Sequence, residues 1–400
     1  EGQYHDNGLS RVMAFDKLVN PEQSPFFNWS KPFVQLETTR GCFNTCAFCV
    51  SGGEKPVRTL SVEAIRERVR LIHEKGIRNI RVLDRTFNYQ SHRAKALFDL
   101  FREFPDMRFH LEIHPALLSE ELKKELASMP KGLLHLEAGI QSLHEEVLTV
   151  SRRAGKLADA LEGLRYLCAL DNMETHADLI AGLPLYHLSQ IFDDVRTLAE
   201  YRAGEIQLES LKLLPGTEMR RRAEELGICY SPLPPYEVLQ TREITPDELQ
   251  TARQLSRLLD GFYNAPAWQE ITRRLIVEEP GFLTRFLDHL IQIGVIDQPM
   301  GLERRGILLY HFCKEHYPHF LTAMSRAWIE AGMSLKKEPA ERVRTKHVTP
   351  PEAWTVCTGT YRDNLRLCKL PASEEGRCYW YGFETESQQL RPVFAAVSQE

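Results

Sequence analysis

Three cysteines stand four and then three residues apart in Glu37-Thr-Thr-Arg-Gly-Cys42-Phe-Asn-Thr-Cys46-Ala-Phe-Cys49. Thiolates on one short loop can wrap a face of an iron–sulfur cubane, and with three protein ligands for four irons one iron stays open. With nine cysteines in 400 residues, that spacing arises by chance in about half a per cent of such chains. The competing chemistry is a structural zinc ion, which asks for four protein ligands. No fourth Cys or close His stands at zinc-finger spacing. An odd cysteine count with one tight cluster points to metal or catalysis in a reducing compartment, and the cytoplasm is the expected location.

Such a loop needs a scaffold, and the surrounding sequence alternates short apolar runs with helical patterns. Strands are expected over Phe33–Thr39, Asn79–Asp84, Arg108–Ile113, Leu133–Ala138, Thr175–Ala181 and Glu205–Lys212. Between the first two, Ser61 is placed to cap a helix with an Ile65, Val69, Ile72 stripe, and Gly76 to end it. Further helices are expected over Ser91–Phe104, Ser119–Ser128, Leu157–Leu170, Leu188–Arg202 and Thr217–Leu226. Each returns the chain for a parallel strand by a right-handed crossover. The fold class is therefore α/β, a partial (β/α)6 TIM-type barrel, and the cysteine loop falls at the carboxyl end of its first strand, the face where barrels build active sites. The expected organisation is an extension over 1–32, the barrel over 33–228, and a mostly α-helical C-terminal domain over 229–400 that serves substrate. From Cys229 the strand pattern stops, with a Pro-rich connector and then helices around Asp247–Phe262, Trp268–Glu278 and Phe282–Ile293.

Lys and Arg number 50 against 55 Asp and Glu, a formal charge of −5, so no long-range pull toward nucleic acid or an anionic membrane operates. A small-molecule substrate fits better than a polyanion. No apolar run approaches a membrane span of about 20 residues, and a signal-peptide pattern is missing from the opening residues. The first residue is Glu rather than Met, which leaves room for a preceding segment.

The Cys-x-x-x-Cys-x-x-Cys loop, with Phe48 before the last cysteine and a barrel strand before the loop, resembles the radical S-adenosylmethionine (SAM) superfamily, from about Phe33 to Thr217. The resemblance implies a [4Fe–4S] cluster on Cys42, Cys46 and Cys49 and SAM as cofactor on the open iron. It further implies reductive SAM cleavage to a carbon radical and an electron donor such as flavodoxin or ferredoxin. Asp84-Arg-Thr-Phe-Asn88 departs from the family's short Gly/Glu motif after strand two. Gly52-Gly-Glu54 reads like that motif in the wrong place, and its glycines are expected to serve the turn. By resemblance, cofactor contacts fall on Glu112, Glu137 and Gln141, on Arg152 or Arg153 as partner of the SAM carboxylate, and on Asp178. Gly182 and Pro184 of the Gly-Leu-Pro loop and Leu213 of an adenine-side loop complete the set. No catalytic side chain is assigned, and the choice between transferase and oxidoreductase stays open.

Several phrases, among them Asp178-Leu-Ile-Ala-Gly-Leu-Pro184 and Pro234-Pro-Tyr-Glu-Val238, resemble a narrower subgroup, cobalamin-binding radical SAM proteins with an uncharacterised C-terminal domain. Only 41 residues precede Cys42, too few for a doubly wound domain of about 100 or more, so cobalamin binding is not expected of this chain. Cys357, Cys368 and Cys378 are open to three readings: plain tail core, auxiliary Fe–S ligands, or a thiolate trap for trivalent arsenic. The last resembles a branch that transfers a 3-amino-3-carboxypropyl radical to arsenite. Two further alternatives are an RNA-modifying radical SAM enzyme, disfavoured by the charge balance, and a zinc-stabilised binding protein.

Overall fold

The computed structural model describes residues 15–334, 336–340, 365–370, 377–384 and 394–399. Two compact units divide the chain, the first ending at Arg253 and the second beginning at Gln254.

The first unit is built on six parallel strands hydrogen-bonded in sequence order: β1 (Val34–Leu36), β2 (Asn79–Val82), β3 (Arg108–Ile113), β4 (Leu134–Gln141), β5 (Glu174–Ala181) and β6 (Glu205–Ser210). Registers such as Ile80 opposite Phe109 and Ala177 opposite Ile206 fix the stagger. Between them run α1 (Val62–Glu74), α2 (Ser91–Arg102), α3 (Glu120–Ala127), α4 (Glu145–Val150), α5 (Leu157–Cys168) and α6 (Leu188–Glu200). This is the expected partial barrel. Helix α1 shows why the pattern folds: the Ser61 hydroxyl accepts from the Ala64 N–H, Ile65, Val69 and Ile72 are fully buried, and Gly76 adopts φ +82° after the last turn. Each buried aliphatic stabilises by about 1.5–3 kcal/mol.

The strands alternate. Phe109 lies 3.9 Å, centroid to centroid, from Phe101 of α2, and Leu111, Leu134, Leu136 and Ala138 are buried with it. The other face carries His110 and Glu112 on β3, His135, Glu137 and Gln141 on β4, His176 and Asp178 on β5, and Glu205 and Gln207 on β6. Parallel strands covered on both faces read as continuous apolar runs. A polar inner face therefore marks an interior that accommodates something other than side-chain packing.

Helix α4 was not anticipated; at six residues it is too short to show periodicity. The helix expected over Thr217–Leu226 is two short turns, Glu218–Arg221 and Ala223–Leu226, separated where Arg222 leaves helical geometry at φ −100°, ψ 12°. Strand pairing also does not stop at Cys229. Cys229–Tyr230 pairs antiparallel with Val238–Gln240.

In the second unit, helices Gln269–Glu278, Phe282–Gln292, Leu302–His316 and Leu321–Glu330 surround an aromatic core of Phe282, Phe286, Phe312 and the stacked pair Trp268 and Trp328. Three antiparallel strands follow, β7 (Leu365–Leu370), β8 (Arg377–Glu384) and β9 (Phe394–Gln399), so the tail is not helical throughout. A meander has no intervening helices, which is why a search for βα rhythm passes over it. Cys368 lies on β7 opposite Tyr381, and Cys378 on β8 opposite Ser398. Cys357 lies outside the described residues. Among the described residues no helix is long and apolar enough to cross a membrane.

Candidate active site

The thiol loop is closed at its base by a two-residue antiparallel ladder, Thr39 opposite Thr59 and Arg40 opposite Arg58. Gly41 follows at φ +101°, and a Cβ there would meet the Glu54 carbonyl oxygen at 2.5 Å, so only glycine lets the Cys42 N–H reach that carbonyl at 3.2 Å. Gly52 lies as close to the Cys46 carbonyl, 2.6 Å from where its Cβ would stand. The glycines of Gly52-Gly-Glu54 thus serve the turn. Cys42 and Cys46 are buried and Cys49 is half-buried.

Neighbouring elements hold this loop from three sides. The Ala47 N–H donates to the carbonyl of Ser151, the C-terminal cap of α4, at 2.8 Å, and the Met219 N–H donates to the Ala47 carbonyl at 2.8 Å. Asn44 accepts through Oδ1 from the backbone N–H groups of Thr45 and Ala154 at 2.9 and 3.0 Å. Asp84, 1% exposed, accepts from the N–H groups of Thr38 and Thr39, both at 2.8 Å, and from the Thr38 hydroxyl. Asn88 clamps the end of β3, donating to the His114 carbonyl and accepting from its N–H, both at 2.9 Å. The Asp84-Arg-Thr-Phe-Asn88 segment is therefore a brace between strand ends.

Of the two candidate arginines, Arg153 turns inward. It donates to the Gly139 carbonyl, and its Nη1 lies 3.9 Å from the Cys46 sulfur. Burial pushes the Cys46 thiol up from its ordinary range while the Arg153 charge pulls it down. Arg152, at φ +54°, pairs instead with Glu218 in a half-exposed position.

Three carboxyl groups line the inner face of β3 to β5. Glu112 and Glu137 are register partners. The His110 Nε2–H donates to Glu137 at 2.8 Å and holds that carboxyl below its usual range. Burial, then the Glu137 charge, raises Glu112 to about 7, against the pull of Arg85 at 3.9 Å. Burial and the same neighbour raise Asp178. Buried polar atoms without a hydrogen-bond partner include Oδ1 of Asp178 itself, Oε1 of Gln141 at the end of β4 and Nδ1 of His114 just after β3. His114 donates its other nitrogen to the Ala154 carbonyl at 3.0 Å, and burial lowers its pKa to about 4, so Nδ1 is a bare acceptor. Gln141 sits at φ +71°, a strained backbone for a non-glycine residue. Buried groups of this kind are ordinarily satisfied, and unpartnered atoms at three neighbouring strands fit a bound polar ligand.

The remaining candidates stand differently. Gly182, at φ +90°, packs against Leu211, Val238 and Leu249, and Pro184 is buried beside it. The Leu213 N–H donates to the Tyr236 carbonyl and its own carbonyl accepts from Arg220, so this loop is braced from within. Sequence reasoning passed over His110, His135, His176 and Glu205. The signal was present as His-x-acid on three consecutive strands: His110-Leu-Glu112, His135-Leu-Glu137 and His176-Ala-Asp178.

A partial α/β barrel with three thiols at the carboxyl end of its first strand and unsatisfied polar atoms on its inner face defines a cofactor-binding enzyme frame. Residues 36–198 match the family model of the radical SAM superfamily. That segment of the chain is thus a radical SAM domain, and the cofactors of that family are a [4Fe–4S] cluster and SAM. Residues 224–320 match a second model, described as a protein of unknown function, DUF4080. A tRNA-2-methylthio-N(6)-dimethylallyladenosine synthase of Herpetosiphon aurantiacus is 27% identical over 213 residues, 48% of this chain and 47% of that protein. The ribosomal protein uS12 methylthiotransferase RimO of Prochlorococcus marinus is 27% identical over 188 residues, 44% of this chain and 43% of that protein. The chain thus spans about half the length of the curated relatives it matches. The radical SAM methyltransferase TsrM of Kitasatospora setae superposes with TM-score 0.43 at 18% identity, over 54% of this chain and 44% of that one.

Proposed function

We propose that Cys42, Cys46 and Cys49 hold the [4Fe–4S] cluster and that SAM lies along the inner face at the strand carboxyl ends, within reach of Glu112, Glu137, Gln141, Arg153 and Asp178. The observation that carries this reading is the buried thiol loop beside Arg153, together with the partnerless buried atoms of Gln141, His114 and Asp178. SAM carries an ammonium and a sulfonium, and an acidic, partly desolvated face suits both charges. Arg153 supplies an inward cation for its carboxylate. Held there, the cluster would supply the electron for reductive cleavage of SAM. This chain's own groups orient the cofactor and exclude water from it.

The substrate proposed is a small molecule, in keeping with the acidic charge balance. Transfer of a 3-amino-3-carboxypropyl group to a thiophilic acceptor such as trivalent arsenic is the variant in which Cys357, Cys368 and Cys378 act. A second reading, modification of RNA or a ribosomal protein, draws on the activities named for the two relatives above; Gly182, Pro184 and Leu213 shape the nucleoside side in either case. A redox protein of the flavodoxin or ferredoxin kind is the proposed electron donor, in the cytoplasm.

The test is anaerobic reconstitution with iron and sulfide, then dithionite and SAM, with mass spectrometry of the nucleoside released. The parent protein should take up four irons per chain and release 5′-deoxyadenosine. Release of 5′-methylthioadenosine instead would select aminocarboxypropyl transfer. Cys46→Ala should lose cluster and SAM cleavage together, and a Cys46→Ala protein that keeps both refutes the assignment.

A further inference from the structure

The thiol loop occupies the carboxyl end of the barrel, and the amino-terminal ends of β3 to β6 carry a second convergence of ligating side chains. His135 Nε2 lies 2.6 Å from His176 Nε2, and His176 Nε2 lies 2.9 Å from Glu205 Oε2. Ligand atoms of all three residues fall within 4.8 Å of one another. They face a cavity of about 570 Å³ whose wall also includes His110, Arg108 and Gln207.

Two imidazole nitrogens at 2.6 Å need one proton between them, and the outer partners show where it is. Ionised Glu137 accepts from His110 Nε2–H, which leaves His110 Nδ1 bare. That nitrogen lies 3.2 Å from His135 Nδ1 and accepts its proton. His135 therefore presents Nε2 to the centre as a lone pair. On the other side the Gln207 amide nitrogen lies 3.4 Å from His176 Nδ1 and makes it the acceptor, so His176 carries its proton on Nε2. A single proton thus sits among three ligand atoms, the place and charge that a cation would take.

We propose that His135, His176 and Glu205 bind one divalent transition-metal ion of the zinc class at the amino-terminal end of the barrel. Two neutral imidazoles and a carboxylate are a three-ligand set that leaves a fourth tetrahedral position for water from the cavity. The Glu137–His110–His135 chain is the outer shell that such a site uses to fix tautomer and ring orientation. Metal binding moves the single His176 proton from Nε2 to Nδ1, and the Gln207 amide turns its carbonyl to accept from that N–H. The inference is independent of the cluster.

The experiment uses the full chain with Cys42, Cys46 and Cys49 replaced by Ala, titrated anaerobically with Co²⁺. One equivalent should bind with the visible ligand-field spectrum of a tetrahedral site without thiolate charge-transfer bands, and one equivalent of Zn²⁺ should displace it. In that background His176→Ala should lose the equivalent, and His110→Gln should weaken binding by about 10- to 100-fold. Glu205→Gln, at a position open to the cavity, serves where His176→Ala does not fold, and should lose it too. No bound Co²⁺ in the chain with Cys42, Cys46 and Cys49 replaced overturns the proposal. So does an equivalent that survives His176→Ala or Glu205→Gln, or a spectrum dominated by thiolate bands.

Discussion

Asp84 is the residue on which the brace of the thiol loop turns, and its removal has a calculable cost. Its carboxylate accepts from the Thr38 N–H, the Thr39 N–H and the Thr38 hydroxyl. Thr38 is 0% exposed and Asp84 is 1% exposed, so water cannot substitute at the first and third of these donors. Thr39 is half-buried, and its N–H can turn to solvent. Two orphaned buried donors cost about 1–3 kcal/mol each. Against that stands the relief of desolvating the carboxylate, which burial already drives upward in pKa. Arg93, whose guanidinium donates to the carbonyls of Leu60 and Thr38, loses a compensating charge. Asp84→Ala should therefore lower unfolding stability by about 2–5 kcal/mol. Asp84→Asn keeps an acceptor for the two N–H groups and should cost about half as much. Urea unfolding with an unchanged m-value reads the difference as a shift of the midpoint. Because Thr38 and Thr39 lead directly into Gly41 and Cys42, the Ala variant should also take up iron less completely in reconstitution. A midpoint within about 0.5 kcal/mol of the parent, the range of ordinary surface substitutions, refutes the brace.

Two further outcomes follow from the same geometry. Glu112 rises from 4.5 to about 7 on folding, so the folded chain keeps a proton that the unfolded chain gives up. Stability is full below 4.5 and falls as pH rises through 7. Glu112→Gln should remove that slope, gaining stability on the parent above about pH 7 and none below 4.5; parallel stability–pH curves for the two proteins would refute it. In the second unit a Cβ on Gly306 would lie 2.4 Å from the Trp268 ring and 3.1 Å from Trp328, both fully buried. Gly306→Ala should thus destabilise by about 1–3 kcal/mol of overpacking, less the roughly 1 kcal/mol that Ala gains over Gly in a helix, and a raised thermal midpoint would count against the packing.

The six barrel strands were legible because each is a short apolar run separated from the next by a capped, periodic helix, as Ser61, Ile65, Val69, Ile72 and Gly76 show for α1. The thiol loop was legible because its chemistry is local in sequence. What stayed hidden depends on partners far along the chain. Nothing near Asp84 announces that its acceptors serve Thr38 and Thr39, 46 and 45 residues away. Arg152 and Arg153 are indistinguishable until α4 and the turn after it send one toward Glu218 and the other toward Cys46. The strands β7 to β9 were missed because an antiparallel meander lacks the helical spacers that made the barrel visible.

The His-x-acid repeat shows most clearly how register turns sequence into a site. Each copy alone reads as an ordinary half-buried strand, with the apolar residue between its polar neighbours packed on the helices. Pairing β3 with β4 sets His110 beside His135 and Glu112 beside Glu137, and pairing β5 with β6 sets His176 beside Glu205. The imidazoles gather at the amino-terminal end and two of the carboxyls, Glu112 and Asp178, lie further toward the thiols. Glu137 belongs to both groups: it is held ionised by His110, and its charge keeps Glu112 and Asp178 raised. Glu137→Gln should accordingly weaken metal binding at one end and lower the pKa of Glu112 toward the other. A conservative change that moved neither would mean that the two ends of the inner face are electrostatically separate.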